Sequence, residues 1–535
     1  MNARMGQMRF TVAPPDRLRT EAELAAVHVV GPGERVEPAS VTRTGDLLIV
    51  DRPGTGSARL RCPWPVPGFG TPVVATCSLS EHTIDAEPHR LVVELARGLV
   101  GVAREQVAAA KRANVELTAK VLETLGRAWG SFVRGACGVQ GGTPEQAAAA
   151  AEKSIVAACF VADAVAAARA DRRLALLKRQ SSHPPASLAV RAGAAADPKV
   201  RLPAALFGPF RTAAIPAGWA SIEPVRGTRD WSVLDAALDR CEAVGAVPAV
   251  GPLLDFTPGG LPDWLSEYRG SPGNLESLCA DFVETAIARI TGRVRTIEVC
   301  GAANIGGALG LDEPTRLGLV ARTVQVARGV DEENRLFLRI ARPFGDYLAR
   351  GEHRLAPLQF ADALSRAGVG LDGVTLELAV GFEDVGTPPR TLAGYERLLA
   401  GWSKLGVPLR ISLAAPAVPP RSGVVPDHWR SGGSPAKQAE WIRHHLPLFF
   451  ATDPVVEVEW ALARDSAPDE PSERLNGGGL LAADGSQRPA LKLFAEFARQ
   501  FAVDPDAGTH LDMPTMDDTE EIDDPPTWSG DAYLG

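Results

Sequence analysis

The 535-residue chain has little of what metal, redox or phosphate-loop chemistry requires. Its seven cysteines (Cys62, Cys77, Cys137, Cys159, Cys241, Cys279 and Cys300) are odd in number and scattered, with no C-x-x-C pair. This argues against a zinc ribbon or a disulfide framework and fits reduced thiols in a cytoplasmic protein. The nine histidines form no H-x-H or H-E-x-x-H, and no glycine run matches a nucleotide fingerprint, so neither a metal nor a cofactor is expected. No apolar run reaches the eighteen or so residues of a membrane span. The start, MNARMGQMRF, lacks the apolar core of a secretory signal. A basic surplus is missing as well. The net charge is −9, but residues 504–535 hold ten Asp/Glu and no Lys/Arg, while the rest of the chain carries 55 acidic and 56 basic residues. The body is near neutral, which argues against a nucleic-acid surface.

What is present divides into five stretches. Residues 1–88 contain short strand-like runs (RFTVA, AAVHVV, DLLIVDR, ARLRC, TPVVATCSL) between Gly/Pro turns, the pattern of a small β-sandwich-like domain. Residues 89–180 read as a long helical hairpin. One helix is expected over Arg90–Val133. A second starts at TPEQ (Thr143–Gln146), where an N-cap threonine, a proline at the first position and a capping-box glutamine fall together. The hairpin is either a packing element or a surface for self-association. Residues 181–200 are rich in Pro, Ala and Ser and read as a linker. From 201 to 503, apolar strands alternate with amphipathic helices, the sign of an α/β TIM (β/α)8 barrel. Its eight candidate strands are LPAALFG, RTAAIPAG, AVPAVGP, TIEVCG, LFLRIA, GVTLELA, PLRISLA and VVEVEWA. The tail, 504–535, is acidic, proline-containing and poor in apolar residues, and is expected to be disordered.

Local motifs within the barrel stretch carry a family resemblance. They are WASIEPVRG (Trp219–Gly227) with Asp230-Trp231 and Leu234-Asp235; GPLL (Gly251–Leu254) with LPDWL (Leu261–Leu265); GVTLE (Gly373–Glu377); and Glu459-Trp460 and Asp465-Ser466 followed by GLL (Gly479–Leu481), Asp484 and RPA (Arg488–Ala490). In this order they resemble the family-10 glycoside hydrolases, the xylanase type. The whole layout also resembles planctomycete proteins of that type. The resemblance implies a retaining mechanism, in which two carboxylates about 5–5.5 Å apart act as acid/base and nucleophile. In that family they end the fourth and seventh strands. Here TIEVCGA sets the acid/base position on Ala302, and PLRISL sets the nucleophile position on Leu413. The family's third-strand histidine falls on Pro252 and its substrate lysine near Gly218. Alanine cannot transfer a proton and leucine cannot attack an anomeric carbon.

Carboxylates remain near the expected carboxyl rim: Asp255, Glu377, Glu383, Glu459 and Asp465. Glu377 replaces a family glutamine on the sixth strand. It is a candidate acid, with Asp465 the second catalytic candidate, unless arginines such as Arg339, Arg342 or Arg410 hold it as an ion pair. Glu298, deeper in the barrel, is expected to be ion-paired. Trp460 matches the family's sugar-stacking tryptophan, and Asp255 and Asn304 complete the candidate ligand-binding set. Three functions follow as expectations: a catalytically degenerate xylanase-like barrel that binds carbohydrate or acts as a scaffold; an active O-glycosyl hydrolase with relocated carboxylates; or an assembly protein working through residues 89–180 and the acidic tail. The expected partners are a carbohydrate ligand and a second copy of the chain, with no nucleic acid and no membrane.

Overall fold

The computed structural model describes residues 6–80, 87–138, 142–180, 186–193, 206–382, 386–418, 433–467 and 474–501. The acidic tail 504–535 and the candidate Glu383 lie outside the described residues.

The N-terminal stretch forms two four-stranded sheets. Its elements are β1 (Gly6–Thr11), α1 (Glu21–Ala25), β2 (His28–Val30), β3 (Val36–Glu37), β4 (Ser40–Thr44), β5 (Leu47–Arg52), β6 (Arg59–Pro63), β7 (Val73–Ala75) and β8 (His89–Arg90). The sheet orders are β4-β5-β1-β8 and β3-β2-β6-β7. Period-2 alternation turns Met8, Phe10, Leu48, Val50, Leu60 and Cys62 into one core, and Trp64 is fully buried beside them.

Three helices follow rather than a simple hairpin: α2 (Leu91–Arg112), α3 (Ala119–Cys137) and α4 (Pro144–Gln180). The single helix expected over Arg90–Val133 breaks after Arg112, where Asn114 takes φ 50 and Val115 turns back onto the Ala110 carbonyl. Asparagine is one of the few residues that visits this left-handed region without much strain. The capping box at Thr143 forms: the Gln146 amide donates to Thr143 Oγ1 and the Thr143 amide to Gln146 Oε1. Gly135 lets α3 approach α4, since a Cβ there would sit 3.0 Å from that of Ala151.

Eight parallel strands then close a barrel: β9 (Ser187–Arg191), β10 (Thr212–Ile215), β11 (Val247–Val250), β13 (Thr296–Gly301), β14 (Arg335–Ala341), β15 (Gly373–Ala379), β16 (Leu409–Ala414) and β17 (Val455–Trp460), which pairs back onto β9. A short β12 (Leu254–Asp255) adds to the carboxyl end of β13. The fold class is therefore the expected TIM barrel. The surrounding helices are α5 (Trp219–Ile222), α6 (Ser232–Val244), α7 (Pro272–Ile290), α8 (Glu313–Val330), α9 (Pro357–Arg366), α10 (Leu392–Trp402), α11 (Pro435–Phe450) and α12 (Pro489–Gln500). Seven strands lie where the sequence places them. The first does not: it is SLAVR, inside the stretch expected to be a linker, and the described part of LPAALFG is not strand.

The N-terminal elements pack on the barrel. On α4, Arg169 pairs with Glu396 at 2.7 Å, and Asp163 accepts the Leu392 amide at 2.9 Å. Val30 and Val36 pack on Tyr347 and Leu348, and the Val73 amide donates to the Pro389 carbonyl at 3.0 Å. The β3-β2-β6-β7 sheet thus lies against the loops that follow β14 and β15, at the carboxyl face of the barrel.

Candidate functional site

In a TIM barrel the chemistry belongs to residues at the carboxyl ends of the strands that point inward. Alternation settles which residues those are. On β16, Leu409, Ile411 and Leu413 belong to the outer hydrophobic core, so Arg410, Ser412 and Ala414 face inward. The same logic turns Thr375, Glu377 and Ala379 inward on β15, and Glu457, Glu459 and the following Ala461 inward on β17. Apart from Arg191 at the end of β9, inward positions on β9–β11 are small, among them Ser187, Ala189, Ala214 and Ala249. Their smallness leaves room for long side chains from the opposite wall.

That room is filled by arginines and glutamates. Glu298 accepts hydrogen bonds from Arg191 (2.7 Å), Arg339 (2.9 and 3.1 Å), Arg410 (3.0 Å) and the Thr375 hydroxyl (2.8 Å). Glu459 accepts from Arg339 (2.7 Å), Arg191 (3.1 and 3.2 Å) and Ser412 (2.6 Å). Glu457 takes Arg410 at 2.5 and 2.8 Å and Ser187 at 3.1 Å. Glu377 takes Arg474 and, at 3.5 Å, Arg339. Four glutamates thus face four arginines, and the interior is charge-balanced. Burial alone would raise the pKa of Glu298, but Arg339, Arg191 and Arg410 outweigh it and hold the carboxylate well below its ordinary range. Glu459 is brought to about 2 in the same way: Arg191 and Arg339 overcome burial and the repulsion from Glu298.

Above this network the strands end in alanine. Ala341, Ala379 and Ala414 occupy the last inward places of β14, β15 and β16, and Ala461 follows just past β17, whose last inward residue is Glu459; all four alanines are buried. Leu462, Leu475 and Phe382 pack with three of them as an apolar plug. On β13 the strand ends in Gly301, then Ala302 in the left-handed region at φ 55, whose carbonyl accepts the amides of Ile305 and Gly306.

The candidate residues fall as follows. Glu377 is buried within the ion network. Asp465 is buried, salt-bridged to Arg488, and accepts the amides of Gly477 (2.9 Å) and Gly479 (2.8 Å), so it shapes a loop. Trp460 is fully buried and faces the helix layer. It packs on Phe494 of α12 and donates its indole N–H to the Gly478 carbonyl at 3.0 Å, so it offers no ring face to a sugar. Asn304 is fully buried, bridging the Ala341 backbone and the Tyr347 hydroxyl. Asp255 accepts the Thr257 amide in a turn. Leu413 points outward, and the inward residue at that rim is Ala414. The residues missed from sequence are Arg191, Glu457 and Arg474; the first lies in the presumed linker. A cavity of about 1620 Å³ lies between Pro14-Pro15, Val66–Gly68 and helices α3 and α4. No helix among the described residues is long and apolar enough to cross a membrane.

No family model and no curated protein matches the chain. Similar solved structures include a GH10 endoxylanase retrieved from a sugarcane soil metagenome, 15% identical, covering 61% of this chain and 99% of that one at a TM-score of 0.47. An intracellular xylanase from Thermoanaerobacterium saccharolyticum in complex with xylotriose is 15% identical, covers 60% and 97%, and gives 0.45. Xylanase 10B from Thermotoga maritima is 15% identical, covers 54% and 87%, and gives 0.43.

Proposed function

We propose that this xylanase-like barrel is hydrolytically silent and serves as a scaffold. One observation carries the reading. At the carboxyl rim, where a retaining glycosidase needs two carboxylates, β14 to β16 end inward in alanine and β17 runs on into Ala461, three of these alanines lie under an apolar plug, and the inward glutamates below are held by arginine. A carboxylate clamped by guanidinium groups is a poor proton donor and a poor nucleophile. The outward-facing Trp460 likewise weighs against a sugar subsite at β17.

The test is reducing-sugar release from xylans, glucans and aryl-glycosides by the purified protein and by its Glu377→Ala variant, with calorimetric titration of xylo-oligosaccharides alongside. The expected result is no release and no binding heat from either protein. Turnover that Glu377→Ala abolishes would mean an active hydrolase with a relocated acid, and would overturn the reading.

A further inference from the structure

Helix α3 carries two apolar faces, and the fold uses only one. Val121, Thr124, Ala128, Ser131, Phe132 and Gly135 turn toward α2 and α4. Leu122, Trp129 and Val133 form a second stripe and stand 42, 47 and 37% exposed. With Gly126 between them, the spacing runs four, three, four, the seam of a helix that packs on another helix. Of the ten exposed large apolar side chains among the described residues, five (these three with Phe160 and Leu176) fall on α3 and α4. Leu122, Trp129 and Val133 share one face of a single helix, and a contiguous apolar stripe of this kind marks a contact surface.

The geometry points to a second copy of this chain as the occupant, with α3 packed antiparallel on its equivalent about a two-fold axis near Ala128. A two-fold interface must be self-complementary, and this face is. Antiparallel pairing about that point brings Leu122 against the partner subunit's Val133. It sets Gly126 beside the partner subunit's Trp129, and nothing lies within 4 Å of the place where a Gly126 Cβ would stand. The same pairing brings Glu123 against the partner subunit's Arg134, and the symmetric contact repeats it. Neither Glu123 nor Arg134 makes an ion pair among the described residues; Arg134 bonds only the Ser131 hydroxyl on its own helix. A single pair of 19-residue helices makes an interface at the small end, the class of weak and transient contacts, and a dimer of about micromolar affinity sets the range of the test. The inference stands apart from whether the barrel hydrolyses sugars.

Sedimentation equilibrium of the full chain, with reductant present to keep the exposed Cys137 from cross-linking, tests it between roughly 1 and 100 μM, the range set by that affinity. The wild type should show a concentration-dependent dimer. Glu123→Arg and Arg134→Glu, each placing like charges together twice, should weaken it about tenfold or more, and the double charge swap should restore it. A wild type that stays monomeric overturns the proposal, as do single variants that dimerise like the wild type. Loss of the dimer on removing residues 502–535, with both single variants unaffected, would assign the association to the tail and also overturn it.

Discussion

Glu298→Gln is the sharpest probe of the barrel interior, because the change is isosteric and its target receives five hydrogen bonds. The amide keeps a carbonyl able to accept from Arg339, Arg410 and Thr375, as Oε1 does now. It loses the acceptor that takes Arg191 at 2.7 Å and Arg339 at 2.9 Å, and turns an N–H₂ toward two guanidinium groups instead. Two charge-assisted bonds at about 1.5–3 kcal/mol each give about 3–6 kcal/mol. The network is also left with four arginines against three glutamates, an uncompensated buried charge of the kind that costs about 3–5 kcal/mol. The two routes agree on roughly 3–5 kcal/mol. Urea denaturation followed by tryptophan fluorescence reads this directly. With a slope of about 5 kcal/mol/M, above that of small proteins because the chain is long, the midpoint should fall by about 0.6–1 M at unchanged slope. A fall below about 0.3 M would refute the idea that the network is a charge-balanced, fully coupled unit.

Acid should dismantle the same network. Glu459 sits at about 2 in the folded chain against an ordinary 4.5, so its contribution is complete above about 4.5 and is lost as pH falls through 2. The shift corresponds to roughly 3 kcal/mol. The stability gap between the wild type and Glu459→Gln, measured by urea midpoints, should therefore narrow steadily between pH 5 and 2; a gap that stays constant would refute the assignment. Gly373→Ala should cost about 1–3 kcal/mol, because the new Cβ meets the ring of Phe337 and lies 2.6 Å from the Pro408 carbonyl, which cannot swing away. A thermal midpoint equal to the wild type's would contradict that packing.

How much of this the sequence discloses varies with the physics of each element. Strands β10, β11 and β13 to β17 are visible because buried parallel strands read as continuous apolar runs. Strand β9 is hidden because its inward places are Ser187, Ala189 and Arg191, which leaves Leu188 and Val190 as its only strong signal, next to a Ser/Pro-rich stretch. LPAALFG offers the better apolar run and misleads for that reason. The break after Arg112 is also hard to see, since neither proline nor glycine marks it; the signal is Asn114, which tolerates positive φ.

The site is harder to read than the fold, because motif matching counts residues while chemistry depends on faces. Placing the nucleophile position on Leu413 gives the right strand and the wrong side. Alternation alone could have found the error, because Arg410 and Ser412 are polar in an otherwise apolar strand and must share the inner face. Trp460 follows the same rule: its neighbour Glu459 is in the ion network, so the tryptophan must face the helices. On β13 alternation fails, because the pairing with β14 shifts register between Glu298 and Cys300. Cys300 then reaches Thr323 on α8, and Gly301 turns toward Pro252 and Arg339. Correcting the faces strengthens the functional reading. At the β16 rim the inward choices are Ser412, which donates to Glu459, and Ala414. At the β13 rim they are Gly301 and Ala302. No one-residue slip at either strand brings a free carboxylate to the mouth, so the case for a silent barrel does not depend on the alignment that first suggested it.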